Sequence, residues 1–165
     1  MRGPTGLANG PTGLANDSNG PEADILGRDR QWVAMDDGVT AQREETIRSD
    51  RYCERLGIEL ESLGVGSART QVTLEESHLN FHGIPHGGLI YSLADAAFAA
   101  ASNAGGTDAF ALETNISYLD AVEIGTTLTA TATSTHETRS TGEYEVVVTD
   151  GDDRIATFRG RVYKP

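Results

Sequence analysis

Residues 86–103, HGGLIYSLADAAFAAASN, constrain the fold of this chain more than any other stretch. Two glycines open it, and a nearly all-apolar run follows that reads as a helix over 87–103. A helix that is apolar almost all round is stable only when it is enclosed, so the rest of the chain must wrap it. Within the run stands one carboxylate, Asp95, with Leu93, Ala94, Ala96, Ala97 and Phe98 around it and no evident polar face. Removing an ionised carboxylate from water is costly unless something compensates. Asp95 is therefore either satisfied by backbone donors, or faces solvent at a gap in the sheet, or is a reactive group at a site.

The flanking sequence supplies the wrapping. TAQREETIRSDRYCER, residues 40–55, is polar and helix-compatible, with Ile47 and Tyr52 as inward positions. GIELESLGVG and ARTQVTLEE read as two strands joined by a Gly-containing turn, with Ala68, Thr70, Val72 and Leu74 alternating. After the long helix come four strand-like runs, AFALETNISYL, TLTATATSTHE, EYEVVVTD and RIATFRGRVY, separated by turn signals such as Thr141-Gly142 and Asp150-Gly151-Asp152. Tyr144, Val146 and Val148 alternate, as do Ala156, Phe158 and Val162. A short helix, two strands, one long helix and four strands make an α+β domain, with an antiparallel sheet curled around a central helix.

The remaining features mainly exclude. A chain of 165 residues, 38% hydrophobic, suits one core, assigned here to residues 28–165. The N-terminal segment repeats GPTGLAN at 3–9 and 10–16, and residues 1–27 read as a disordered low-complexity tail. Asp and Glu number 25 against 13 Lys and Arg, a formal net charge of -12, which argues against nucleic-acid binding. The single lysine, Lys164, and the acidic excess resemble proteins of salt-loving microbes. No apolar run is long enough to span a membrane, no secretion signal is evident, and Cys53 is the lone cysteine, so a cytoplasmic protein without disulfides is expected.

Chemistry gathers at 80–95. His86-Gly87-Gly88 lies where loop becomes helix, and the free N–H groups of a first turn can serve as an oxyanion hole. Asp95 supplies a nucleophile or general base. Asn80 can orient a water or a carbonyl, or simply shape a turn; His86 can hydrogen-bond a reacting group, or simply cap the helix. His78, His82 and His86 have a tempting spacing for a metal, but Gly83 and Pro85 break the helix that would align them. Cys53 reads as a structural thiol, and Gly64-Val65-Gly66 is no dinucleotide fingerprint. Eight residues of helix place Gly87 and Asp95 about 12 Å apart along the axis. Both cannot reach one carbonyl carbon from the same helix, so a site using both needs two chains.

Asn80, the HGG at 86–88, the LAD at 93–95, NISYL at 115–119, Gly125, the Gly142–Tyr144 pair and ATFRGRVY near the end together resemble the hotdog-fold acyl-CoA thioesterases, specifically the PaaI type. The spacing Asn-x5-His-Gly-Gly-x6-Asp is the specific element, and the likeness runs from about Leu56 to Tyr163. The resemblance implies a thioester hydrolase with no cofactor, coenzyme A being part of the substrate, which would be an aryl-acetyl-CoA or another acyl-CoA. It implies active sites between protomers of a homodimer, or of a dimer of dimers. It assigns Asp95 as base or nucleophile, the Gly87 N–H as oxyanion donor, and Asn80 and His86 as supporting groups. Gly88 and Arg139 would contact substrate, Arg139 through coenzyme A. Two departures stand out: Asp120-Ala121 follows NISYL where the family often has proline, and Ala111 takes the place of a water-holding Ser or Thr, with Thr114 nearby. A hydratase or dehydratase of the same fold, or a non-catalytic acyl-CoA-binding module, are the alternatives.

Overall fold

A computed structural model describes residues 38–165. The expectation of a disordered tail over 1–27 lies outside the described residues. The chain runs through helices α1 (Ala41–Arg48) and α2 (Arg51–Leu56), strands β1 (Glu59–Gly64) and β2 (Ser67–Thr73), a short 3-10 turn at Glu76–His78, and helix α3 (Gly87–Asn103). Strands β3 (Phe110–Tyr118), β4 (Thr127–Glu137), β5 (Thr141–Asp150) and β6 (Asp153–Tyr163) follow. All six strands form one antiparallel sheet in the order β1-β2-β4-β5-β6-β3, and α3 packs on β2, β4, β5 and β6. This is the hotdog arrangement that the sequence suggested.

The expected alternations face α3. Ala68, Thr70, Val72 and Leu74 are buried from the second strand segment, Leu128, Ala130 and Ala132 from β4, and Tyr144, Val146 and Val148 from β5. Ala156, Phe158 and Val162 are buried from β6. The helix answers with Leu89, Ile90, Leu93, Ala94, Ala97, Phe98 and Ala101. Each large apolar side chain enclosed this way contributes about 1.5–3 kcal/mol. The approach of α3 is close enough that a Cβ on Gly160 would lie 2.6 Å from the Phe98 ring, which only glycine on β6 avoids. A buried polar contact also ties the layers, the Thr70 hydroxyl donating to the Leu93 carbonyl at 3.0 Å.

Three details differ from the sequence reading. The single helix expected over 40–55 is two, because Asp50 accepts from the backbone N–H groups of Tyr52 and Cys53 and starts a new helix. Tyr52, expected to point inward, is 61% exposed and places its hydroxyl 3.0 Å from Ser92 Oγ, while Ile47 does pack on the core. And α3 is not apolar all round. Gly88, Ser92, Asp95, Ala96, Ala99 and Asn103 are exposed or half-buried and follow one another at helical spacing down one side. Small side chains had concealed an open, partly polar stripe.

Candidate active site

The start of α3 is built by side-chain contacts. His86 is the N-cap, in extended backbone, and its Nδ1 accepts from the Gly88 N–H at 2.8 Å. Accepting at Nδ1 puts the proton of the neutral ring on Nε2, so His86 is cap and outward-facing donor at once. The Tyr118 hydroxyl donates to the Gly87 carbonyl at 2.8 Å, and the Ser92 hydroxyl donates to the Gly88 carbonyl at 2.9 Å. Among the described residues nothing accepts from the Gly87 N–H. It is a free donor at the positive end of a 17-residue helix, suited to developing negative charge.

Two turns on, Asp95 is half-buried, and among the described residues no donor reaches its carboxylate. Burial raises its pKa, and the neighbouring Asp50 raises it further. Neither of the structural explanations for an Asp in this helix applies cleanly, since it is neither satisfied by backbone nor fully in solvent. A carboxylate that is partly desolvated and unpaired keeps its basicity for a substrate. Beside it, α1, α2, β1 and α3 border a cavity of about 690 Å³ that is open to solvent. Ala96, Ala99 and Ala100 form its floor, Ile47, Ile58 and Leu60 its apolar wall, and Asp50 and Cys53 the flank toward Asp95. The Cys53 thiol is pushed up to about 11 by burial, then by Asp50 and Asp95, which keeps it protonated and a poor nucleophile.

The other sequence candidates are placed as follows. Asn80 Oδ1 accepts from the His82 N–H at 2.8 Å and folds the 80–84 loop, which leaves its amide N–H groups without a partner among the described residues. The Gly88 N–H is engaged by His86, so Gly88 offers a ligand bare backbone rather than a donor. Arg139 is exposed in the β4–β5 turn, beside the Tyr163 and Phe110 end of the sheet; Gly87 is held at the Tyr118 end, about 25 Å away along β3. One chain does not bring Arg139 to its own Gly87. His78 accepts at Nδ1 from the Glu75 N–H, and His82 lies against the Phe81 ring, on separate parts of an irregular loop. Thr114, raised as a substitute for Ala111, is bonded through its hydroxyl to Tyr91.

Gly87 and Asp95 do belong to one unbroken helix, so the axial separation of about 12 Å stands. The strand that carries Tyr118 is one edge of the sheet and is open. Phe110, Leu112 and Tyr118 are each at least half exposed along β3, with Leu119 just beyond it.

Comparison with known proteins shows the family. Residues 82–157 match the family model of the thioesterase superfamily. The acyl-coenzyme A thioesterase PaaI of Escherichia coli is 38% identical over 117 residues, which span 70% of this chain and 84% of that protein. This chain belongs to the thioesterase superfamily and is of the PaaI type. It is, by that membership, a hydrolase of thioester bonds. The solved structure of the E. coli PaaI protein, from the phenylacetic acid degradation operon, superposes with a TM-score of 0.72 at 35% identity, over 75% of this chain and 91% of that one. A Streptococcus mutans protein solved bound to acetyl CoA superposes with a TM-score of 0.62 at 27% identity, covering 66% of this chain and 88% of the other.

Sequence reasoning missed Asp50, Tyr118 and Ser92. Asp50 carried a signal, since an Asp inside a polar helical run is a candidate N-cap. Tyr118 lay within the NISYL motif, but its contact with Gly87 spans 31 residues and depends on the fold. Ser92 carried none beyond its place one turn before Asp95.

Proposed function

We propose that this protein hydrolyses acyl-CoA thioesters to free acid and coenzyme A, without a cofactor, at sites shared between two copies of the chain. The observation that carries the reading is Asp95, a half-buried carboxylate of raised pKa with no partner among the described residues, beside a cavity of about 690 Å³. In the proposed step the Asp95 carboxylate takes a proton from water as the water oxygen adds to the thioester carbonyl carbon. The carbonyl oxygen gains charge against the Gly87 N–H of the other chain. The C–S bond then breaks, and the proton passes from Asp95 to the departing thiolate. Direct attack by Asp95, giving an anhydride that water opens, is the variant chemistry of the same residues.

The rest of the assignment follows from the same geometry. His86 Nε2–H and the free amide of Asn80 are available to the carbonyl or the water, and Gly88 lets the ligand approach the helix start. The cavity floored by Ala96, Ala99 and Ala100 is our choice for the acyl group, aryl-acetyl or medium-chain, because that floor and the Ile47, Ile58 and Leu60 wall are apolar, while Arg43, Arg48, Glu54 and Glu59 line other parts of it. Arg139, which is remote from its own Gly87, would contact the coenzyme A moiety only if a second chain brings the two together. Two features support self-association: Gly87 and Asp95 are too far apart to share one carbonyl within a chain, and β3 is a long exposed edge rich in apolar side chains. Dimers could pair further into tetramers. Release of free thiol, measured over a panel of aryl-acetyl and straight-chain acyl-CoAs, tests the reading. Turnover of at least one member supports it, and no turnover of any would refute it.

A further inference from the structure

We infer that Tyr118 is a positioning residue for thioester cleavage, holding the peptide unit between Gly87 and Gly88 so that the adjoining Gly87 N–H keeps a fixed direction. The inference rests on the reading above. The Tyr118 hydroxyl donates to the carbonyl of that peptide unit, that of Gly87, at 2.8 Å. The N–H of the same unit, that of Gly88, donates to His86 Nδ1 at 2.8 Å. One peptide plane is thus gripped at both ends, by strand β3 on one side and by the helix cap on the other. Rotating it would break both bonds together.

Such a grip matters because the backbone here is a Gly-Gly pair, which has the widest choice of conformations. An oxyanion donor works by being fixed before charge develops, so that no reorganisation is needed in the transition state. The same contact gives a reason for glycine at 87. Its φ is not of the left-handed kind that demands glycine, but a Cβ there would lie 3.2 Å from the Tyr118 ring and hydroxyl. A side chain at 87 would crowd the Tyr118 ring and force it to shift by a few tenths of an ångström. Tyr118 is the last residue of β3, opposite Ala156 of β6, so the sheet fixes where its hydroxyl reaches. Burial and the nearby Tyr91 raise its pKa, so the phenol remains a donor through the physiological range. At 51% exposed, Tyr118 is not part of the core, so its substitution is expected to leave the fold intact.

Tyr118→Phe in the full chain keeps the ring and deletes only the hydroxyl. The expected result is a fall in kcat of about 3- to 10-fold, the effect of losing one hydrogen bond, with KM and melting temperature unchanged. In glycine-labelled protein, Gly88 amide exchange should quicken. Gly87→Ala should lower kcat in the wild-type background and have no further effect beside Tyr118→Leu, where the crowding is gone. Wild-type kcat and unchanged Gly88 exchange in Tyr118→Phe would overturn the inference. So would a loss of melting temperature that accounts for the lost activity, which would make the role merely structural. If the wild-type protein cleaves no acyl-CoA, the proposed function fails, and Gly88 exchange alone still decides for or against the clamp.

Discussion

The two sides of α3 have opposite characters although they share one backbone. On the enclosed side Leu93, Ala94 and Ala97 have no accessible surface at all, and Phe98 packs edge-on against Tyr144 and tilted against Phe158. On the open side Ser92, Asp95, Ala96 and Ala99 are half-buried or exposed, and the bulkiest group is the carboxylate. The enclosed side gives the domain its stability, because the buried apolar residues of β2, β4, β5 and β6 meet it. The open side gives little stability and, at Asp95, takes some away. The difference teaches that this helix separates its tasks by face: substitutions on one side should be read in melting temperature, and those on the other in kcat or substrate preference.

The largest effect should come from Asp95→Asn. The swap is nearly isosteric and deletes the base or nucleophile, so kcat should fall by about 10²- to 10⁴-fold, as for other lost proton-transfer groups. A variant with near wild-type kcat would break the contrast between the faces. Stability should move the other way, with a sign that depends on pH. The folded pKa of Asp95 is raised, so its protonated form is favoured by folding; that favourable contribution is complete below its unfolded pKa of about 3.9 and is lost as pH rises through the raised folded value. At neutral pH the charged carboxylate is a burden that Asn lacks. The melting temperature of Asp95→Asn should exceed that of wild type at pH 7, and the gap should close on acidification. The activity of the wild type, needing the carboxylate form, should rise with pH through that same raised pKa.

Leu93→Ala, one position from the boundary but on the enclosed side, should cost about 2–5 kcal/mol of stability. The kcat of the fraction that remains folded should change little. A comparable loss of kcat without loss of stability would show that the faces are not separate. Smallest in stability is Ala99→Leu on the open side, expected within about 0.5 kcal/mol of wild type. It narrows the cavity floor, so the preference among acyl-CoAs should shift toward smaller acyl groups. An unchanged preference would place the acyl group elsewhere.

The enclosed side was legible in the sequence because its residues declare themselves by size and period. Tyr144, Val146 and Val148 announce a strand face, and the run from Leu89 to Phe98 announces a helix that must be covered. The HGG start and Asp95 were legible too, as an unusual carboxylate and a glycine pair that matched one family's spacing. The open stripe was not, because alanine fits a buried helix and an open one equally well; Ala96 and Ala99 looked like core. The break before α2 was missed because Asp50 in a polar run differs from its neighbours only in what its carboxylate caps. Contacts that depend on topology left no local trace. Strand β3 pairs with β6 at the sheet edge rather than with its neighbour in sequence, and so brings Tyr118 to Gly87, while Asp50 reaches Asp95 from 45 residues earlier in the chain.

Whether one working site takes Gly87 and Asp95 from different chains is best tested by mixing two inactive variants. Asp95→Asn removes the carboxylate. Gly87→Pro removes the N–H itself, at the first helical position, where proline is tolerated and where His86 before it is already extended. Gly87→Ala, which crowds Tyr118 in the same way but keeps the N–H, is the control for shape. Each variant alone carries one lesion in every site. After the two are unfolded and refolded together, random pairing makes half the dimers mixed, each with one site bearing both lesions and one bearing neither. Thiol release from an acyl-CoA should then return to about a quarter of the wild-type rate under two-fold pairing. No recovery, with chain exchange verified, would mean that the two groups act within one chain and would contradict the shared site.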